Sequence, residues 1–176
     1  MKKVSIIIPA YNEEESLPML YERLNKLMNE VTNYEFEVLF VNDGSKDKTI
    51  QIIKELRKKD ERICYVDFSR NFGKEIAMIA GLDYAKGDCV IFMDADLQDP
   101  PELIPELIKY WEEGYDDVYA RRSSRKGETW LKKFTSKMYY RVLQSLTRIP
   151  IQKDTGDFRL LDKRCVNALK KLRESQ

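Results

Sequence analysis

The sequence predicts an α/β fold: a mostly parallel central sheet with helices on both faces. Three observations predict it. Short β-rich apolar runs alternate with longer stretches of helical spacing. No repeat, low-complexity tract or Gly/Ser linker breaks the alternation. The 176 residues suffice for one domain with its own core. Regular alternation of strand and helix implies right-handed crossovers between parallel strands.

Each element has its own signal. Val4 to Ile8 is a near-continuous apolar strand, and Asn12 with Glu15 three residues on reads as the cap of a first helix. That helix carries Leu17, Leu20, Leu24, Leu27 and Met28 on one face. Phe36 to Val41 is the second strand, and Asn42-Asp43-Gly44-Ser45 turns the chain into a helix with Ile50, Ile53 and Leu56 at helical spacing. A third strand runs around Ile63 to Phe68, a third helix covers about Glu75 to Ala85, and Val90 to Met93 is a fourth strand. Pro100-Pro101 opens a fourth helix where proline is tolerated.

Composition excludes several classes of function. The 31 Lys+Arg against 30 Asp+Glu leave a formal charge of +1, which argues against a nucleic-acid binder held by bulk electrostatics. The absence of histidine removes every Ser-His or Cys-His pair and every His-ligated zinc site. Chemistry must therefore run on carboxylates, cations, hydroxyls or a metal held by oxygen. Cys64, Cys89 and Cys165 are odd in number and far apart, so neither a disulfide framework nor a thiolate metal site is expected, and a reducing cytoplasm fits. The first residues are too short an apolar run for a signal peptide, and no stretch approaches the roughly 18 apolar residues of a membrane span.

Open α/β sheets bind ligands at the carboxyl ends of their strands. The segments expected there are Pro9 to Glu13, Asn42 to Ser45, Ser69 to Lys74 and Asp94 to Asp99. In an extended segment Asp94, Asp96 and Gln98 project to one side, and two carboxylates with an amide oxygen suit Mg²⁺ or Mn²⁺. The competing reading is an acidic loop before a helix N-terminus, which best explains Asp99. Asp43 is placed to recognise a base or ribose, or else serves as a turn-former. Tyr11 and Glu13 line a base pocket or mark a strand exit and cap. Neither a P-loop nor a dinucleotide fingerprint is present.

Beyond the acidic Gln98 to Asp117 stretch, Arg121, Arg122, Arg125, Lys126, Lys132, Lys133, Lys137 and Arg141 call for an anionic partner. Trp130, Leu131, Phe134, Met138, Val142 and Leu146 recur at helical spacing within that stretch. This basic amphipathic helix either lies on an anionic membrane surface or packs its apolar stripe on the sheet. Asp157 and Arg159, two residues apart, point into one site if extended, as base or orienter and as phosphate clamp, unless they form a surface salt bridge.

In order and spacing, Ser5-Ile6-Ile7-Ile8-Pro9-Ala10-Tyr11-Asn12-Glu13, Val41-Asn42-Asp43-Gly44-Ser45 and Asp94-Ala95-Asp96-Leu97-Gln98-Asp99-Pro100-Pro101 resemble family 2 glycosyltransferases of the GT-A fold, a Rossmann-like nucleotide-diphospho-sugar transferase fold. Arg70-Asn71-Phe72-Gly73-Lys74 and Thr155-Gly156-Asp157-Phe158-Arg159 narrow the resemblance to the polyprenyl-phosphate branch, similar to bactoprenol glucosyltransferases and dolichol-phosphate mannose synthases.

The resemblance implies roles for these positions. Pro9, Tyr11, Glu13 and Asp43 form the nucleotide pocket, with Lys74 and Arg121 also on the substrates. Asp94 meets the ribose or metal side, Asp96 and Gln98 hold Mg²⁺ or Mn²⁺ on the diphosphate, Asp157 sits beside the transferred sugar, and Arg159 suits a phosphate acceptor. It also implies a single catalytic domain over 1–176, with 1–120 binding nucleotide and metal and 121–176 facing acceptor and membrane. Further membrane helices, usual in relatives, are not expected within these residues, so this piece is expected to be soluble while the full-length protein works at the cytoplasmic membrane face, with a homo-oligomer as a further expectation.

The expected reaction is inverting transfer of a hexose from a nucleotide diphospho-sugar, of UDP-glucose or UDP-GlcNAc type, to a polyprenyl phosphate. The alternatives are a sugar hydroxyl acceptor in polysaccharide or cell-envelope synthesis, or a nucleotide-binding module without turnover. Nucleic acid is not an expected partner.

Overall fold

The computed structural model describes residues 1–121 and 155–173. The chain divides into two compact units, one of residues 1–119 with 157–176 and the other of residues 120–156. The basic helix read at Trp130 to Leu146 lies outside the described residues.

Among the described residues the strands are β1 (Lys2–Ala10), β2 (Tyr34–Asn42), β3 (Ile63–Asp67), β4 (Cys89–Phe92), β5 (Asp117–Arg121) and β6 (Thr155–Asp162). They form one sheet in the order β3-β2-β1-β4-β6-β5. The helices are α1 (Leu17–Glu30), α2 (Thr49–Lys59), α3 (Lys74–Tyr84), α4 (Ile104–Glu112) and α5 (Lys163–Arg173). β1 runs parallel to β2 and β4, β2 runs parallel to β3, and β6 is antiparallel to β4. The mostly parallel sheet expected from the alternation is therefore present, with β6 reversed against β4.

Winding explains where the helices go. The chain steps outward from β1 to β2 to β3 through α1 and α2, then returns across the sheet through α3 to place β4 on the other side of β1. Right-handed crossovers in opposite directions put their helices on opposite faces. Accordingly α3 and α5 share one apolar cluster with the sheet, built from Ile7, Leu39, Val41, Ala77, Leu82, Val90, Phe92, Leu161 and Val166. Ile6 and Ile8, pointing the other way along β1, are fully buried as well. A Cβ at Gly81 would run into the Ile7 side chain, so glycine there lets α3 lie close on the sheet.

The apolar stripe read for α1 is the stripe it buries: Leu17, Leu20, Leu24, Leu27 and Met28. Its start differs from the expectation. Asn12 is not the cap, because the helix begins at Leu17 after Ser16, with proline in its first turn. Asn12 instead takes a left-handed φ of 56°, and its Oδ1 accepts the Lys46 N–H at 2.8 Å. Asparagine is among the few residues that enter that region readily. The Pro100-Pro101 pair opens a short 3-10 turn, Pro101–Leu103, which leads into α4.

Candidate active site

Register places four loops on one edge. Ala10 pairs with Asn42 and Asn42 with Asp67, so β1, β2 and β3 end level. β4 ends on the same side, beyond Phe92. Between β1 and β4 the winding reverses, and a crevice opens at such a point between loops that leave in opposite directions. A cavity of about 380 Å³ lies there, lined by Pro9, Ala10, Tyr11, Glu13, Asp43, Asn71, Gly73, Lys74, Asp94, Ala95 and Asp96. It gathers Pro9, Tyr11, Glu13, Asp43, Lys74, Asp94 and Asp96 from the residues expected on sequence.

The walls are held by side chains that bond backbone across loops. Ser45 Oγ accepts the Asn12 N–H at 3.0 Å, Thr49 Oγ1 the Glu13 N–H at 2.8 Å and Asp47 Oδ2 the Glu14 N–H at 3.1 Å. The loop after β1 is thereby laced to the loop after β2. Glu13 turns one carboxylate oxygen back onto the Ser16 hydroxyl at 2.5 Å. Tyr11 is 42% exposed at the rim.

Asp43 does more than make a turn. It is buried, 3% exposed, and its two oxygens accept the Phe72 N–H at 2.7 Å and the Gly73 N–H at 3.0 Å. A carboxylate oxygen has two lone pairs, so Asp43 organises the 70–73 loop and keeps acceptor capacity toward the cavity. Gly44 has φ +65°, and a Cβ there would strike the Arg70 and Asn71 backbone, so only glycine admits this loop so closely.

The segment after β4 departs from the expected geometry. It is turned at Ala95-Asp96, and Leu97 has a left-handed φ of 63°. The alternation that would align Asp94, Asp96 and Gln98 belongs to extended backbone and does not apply here. Asp96 Oδ1 instead accepts the Gln98 N–H at 3.0 Å, an Asx turn. Asp96 is exposed on the cavity wall, whereas Gln98 is not among the lining residues.

Asp94 and Asp157 meet through Lys74. In the antiparallel β4–β6 ladder Phe92 pairs with Arg159, so two steps further the chain brings Asp94 level with Asp157. Like charges directly opposite are destabilising. Lys74 at the start of α3 supplies the counterion: its Nζ lies 2.6 Å from Asp94 Oδ1 and 2.7 Å from Asp157 Oδ2. Burial alone would lower the Lys74 pKa, but the hydrogen bonds and charges of Asp157 and Asp94 outweigh it and hold the ammonium above its ordinary value.

Arg159 sits on β6 with its guanidinium 3.5 Å from Asp117 and is not among the cavity-lining residues. The backbone of Arg121 belongs to β5, and its side chain lies outside the described residues. Asn71 and Gly73 line the cavity although no role was read for them. Their signal in the sequence was position, since the segment Ser69 to Lys74 leaves a strand at the ligand edge.

The donor set at this edge is all oxygen, with the exposed Asp96 carboxylate on the wall and no thiol among the lining residues. Hard divalent ions such as Mg²⁺ or Mn²⁺ typically take one or two carboxylates and complete their shell with water and phosphate oxygens. Among the described residues no three or more Asp, Glu or Cys side chains gather as a metal-binding group, and Asp94 and Asp96 are the two carboxylates that the segment after β4 brings to the cavity wall. The residues present fit the ion.

Comparisons with known proteins place this arrangement. The chain is 54% identical over 172 residues to an uncharacterized glycosyltransferase of Synechocystis, covering 98% of this chain and 54% of that protein. It is 44% identical over 172 residues to the bactoprenol glucosyl transferase of Shigella phage SfV, covering 98% and 56%. The chain thus spans about half the length of the curated relatives it matches. Among solved structures, Staphylococcus aureus TarS in complex with UDP-GlcNAc superposes with a TM-score of 0.57 at 27% identity, covering 72% of this chain and 36% of that one. Glucosyl-3-phosphoglycerate synthase from Mycobacterium tuberculosis, in complex with Mn²⁺, UDP and phosphoglyceric acid, shares the fold with a TM-score of 0.62 at 20% identity, covering 93% and 56%. The fold is GT-A. The Glycosyl transferase family 2 profile matches residues 5–169, and the chain belongs to that family.

Proposed function

We propose that the protein moves a hexose from a uridine diphospho-sugar to a polyprenyl phosphate, with inversion at the anomeric carbon, at the cytoplasmic face of a membrane. The observation that carries this reading is the cavity at the winding reversal, where Asp43, Lys74, Asp94 and Asp96 face one space. The 44% identity to a bactoprenol glucosyl transferase supports the acceptor, and the UDP-GlcNAc complex of TarS supports the donor.

The chain's residues divide the work. Pro9, Tyr11 and Asp43 border the part of the cavity that takes base and ribose, with the buried Asp43 offering acceptor oxygens to a ring N–H or sugar hydroxyl. Asp96, with Asp94 on the same cavity wall, would hold Mg²⁺ or Mn²⁺ on the donor diphosphate. Such an ion, when bound, neutralises charge developing on the leaving diphosphate. Lys74 places a cation beside Asp157 and Asp94 at the same edge.

An acceptor phosphate oxygen attacks the anomeric carbon, the bond from that carbon to the diphosphate breaks, and the nucleoside diphosphate leaves with the bonding electrons. A phosphate monoester, with a second pKa of about 6, is largely dianionic near neutrality and needs positioning more than a strong base. Asp157 therefore orients the acceptor. Residues 121–176 provide the acceptor and membrane side, including Arg121 and Arg159.

The test uses the full-length protein in membranes with UDP-glucose or UDP-GlcNAc and undecaprenyl phosphate. Glycosylated lipid phosphate and released UDP are expected, and no UDP release with any lipid phosphate overturns the reading. Asp157→Asn retains substantial transfer if the acceptor is a phosphate. Near-complete loss with unchanged UDP binding would instead assign a hydroxyl acceptor and a general base.

A further inference from the structure

We infer that Lys74 is a built-in counterion that makes divalent-ion loading depend on the nucleotide: its ammonium bridges Asp94 and Asp157 until a diphosphate draws it away and releases Asp94. The inference rests on the donor and metal reading above.

The β4–β6 register brings two carboxylates level, and the single Lys74 ammonium bridges them at 2.6 and 2.7 Å, offsetting one of their two charges. A divalent ion arriving alone meets an Asp94 already paired with a cation, whose ammonium is in contact with the carboxylate. Like charges oppose that approach. A diphosphate changes the balance, because it brings negative charge into the space that Lys74 lines together with Asp96. Lys74 is able to respond. Its Cα is fixed as the first residue of α3, but its side chain is 37% exposed and lines the cavity. Transfer of the ammonium from Asp94 to phosphate leaves the Asp94 carboxylate without its counterion, near Asp96, as the ion arrives with the nucleotide. Lys74 is thus a positioning residue for the metal–nucleotide pair.

A strut that only tied α3 to β4 and β6 would have a different signature: its loss would lower stability and leave ion affinity alone. Coupling between two ligands is reciprocal, so UDP and Mn²⁺ must tighten each other by the same factor. The experiment measures Mn²⁺ uptake by electron paramagnetic resonance, alone and with saturating UDP, in the wild type, Lys74→Met and Lys74→Arg.

The wild type is expected to bind Mn²⁺ weakly alone and about tenfold or more tightly with UDP, within the usual range of coupling. Lys74→Met binds Mn²⁺ alone about tenfold more tightly than the wild type and loses most of the coupling, while Lys74→Arg keeps the wild-type pattern. Unchanged affinity for Mn²⁺ alone in Lys74→Met, with UDP-dependent uptake intact in the wild type, overturns the inference and leaves the proposed function standing. Absence of Mn²⁺ uptake in the wild type with and without UDP overturns both. Should Lys74→Met fail to fold, Asp157→Asn gives the second reading: Lys74 then closes on Asp94 alone, Mn²⁺ alone binds more weakly, and an unchanged affinity overturns the inference.

Discussion

The two ends of the sheet treat their carboxylates in opposite ways. Near the amino ends of the strands, Glu37 is 7% exposed and accepts the Ser5 hydroxyl and, at 2.7 Å, the Lys86 N–H. The Gly87 N–H closes the set by donating to Ser5 Oγ at 2.8 Å, and Lys3 lies 3.8 Å from Glu37. These partners belong to the strands and a tight turn, which hold them in place. At the carboxyl ends, Asp94 and Asp157 depend on one long, half-exposed lysine, and Asp96 faces open cavity. Burial among fixed donors makes a carboxylate part of the scaffold. A carboxylate exposed beside one long lysine is held by a single partner rather than by the scaffold.

The largest expected effect comes from Asp96. Asp96→Ala should lower glycosyl transfer on the order of 100-fold or more, as loss of one preorganised electrostatic partner does. Its melting temperature should match the wild type, since this exposed group supports only a local turn. A large drop in melting temperature would erase the contrast between the two ends.

Glu37→Ala should do the reverse. It leaves a buried hydroxyl and a backbone N–H short of an acceptor, costing about 3 kcal/mol in denaturant unfolding, with UDP affinity unchanged in the folded fraction. Gly44→Ala is the intermediate case. A left-handed φ and the Arg70 backbone both oppose the added methyl, so a loss of about 1–2 kcal/mol is expected. Weaker UDP binding should accompany it, because the displaced loop carries Asn71 and Gly73. Isothermal titration calorimetry and thermal melts would separate the two consequences.

The smallest effect sharpens the scaffold side through pH. The Arg62 guanidinium holds the Asp60 carboxyl below its ordinary value, against the opposing pull of burial. A carboxyl lowered in the folded state contributes stability above its unfolded pKa, near 4, and that contribution is lost as pH falls through the folded value. Asp60→Asn should cost roughly 1.5 kcal/mol near neutrality, the size of a hydrogen bond to a charged group. It should also flatten the loss of stability below pH 4, which urea midpoints measured from pH 7 to pH 3 would reveal.

Much of this was legible in the sequence because it depends on periodicity. The α1 stripe, the four parallel strands and the ligand edge follow from spacing and alternation, which short-range sterics and burial impose. What escaped depends on tertiary geometry. Asn12 has the composition of a cap, yet the loop after β2 captures its carbonyl and moves the helix start to Leu17. Asp94, Asp96 and Gln98 have the spacing of one face, but a left-handed Leu97 bends the segment that would have carried it. The Lys74 bridge joins positions 20 and 83 residues apart, and only the reversed strand β6 brings them together. The cavity was legible residue by residue, whereas the pairing of its charges required the fold.

Leu97 carries a consequence of its own. A γ-branched residue held in the left-handed region costs roughly 1–2 kcal/mol compared with an unstrained conformation. Glycine would sit there without that penalty, so the native leucine keeps local backbone strain in the turn beside Asp96. Leu97→Gly would exchange that strain for greater freedom of the unfolded chain, so relief of the turn and stiffness of the cavity wall pull in opposite directions.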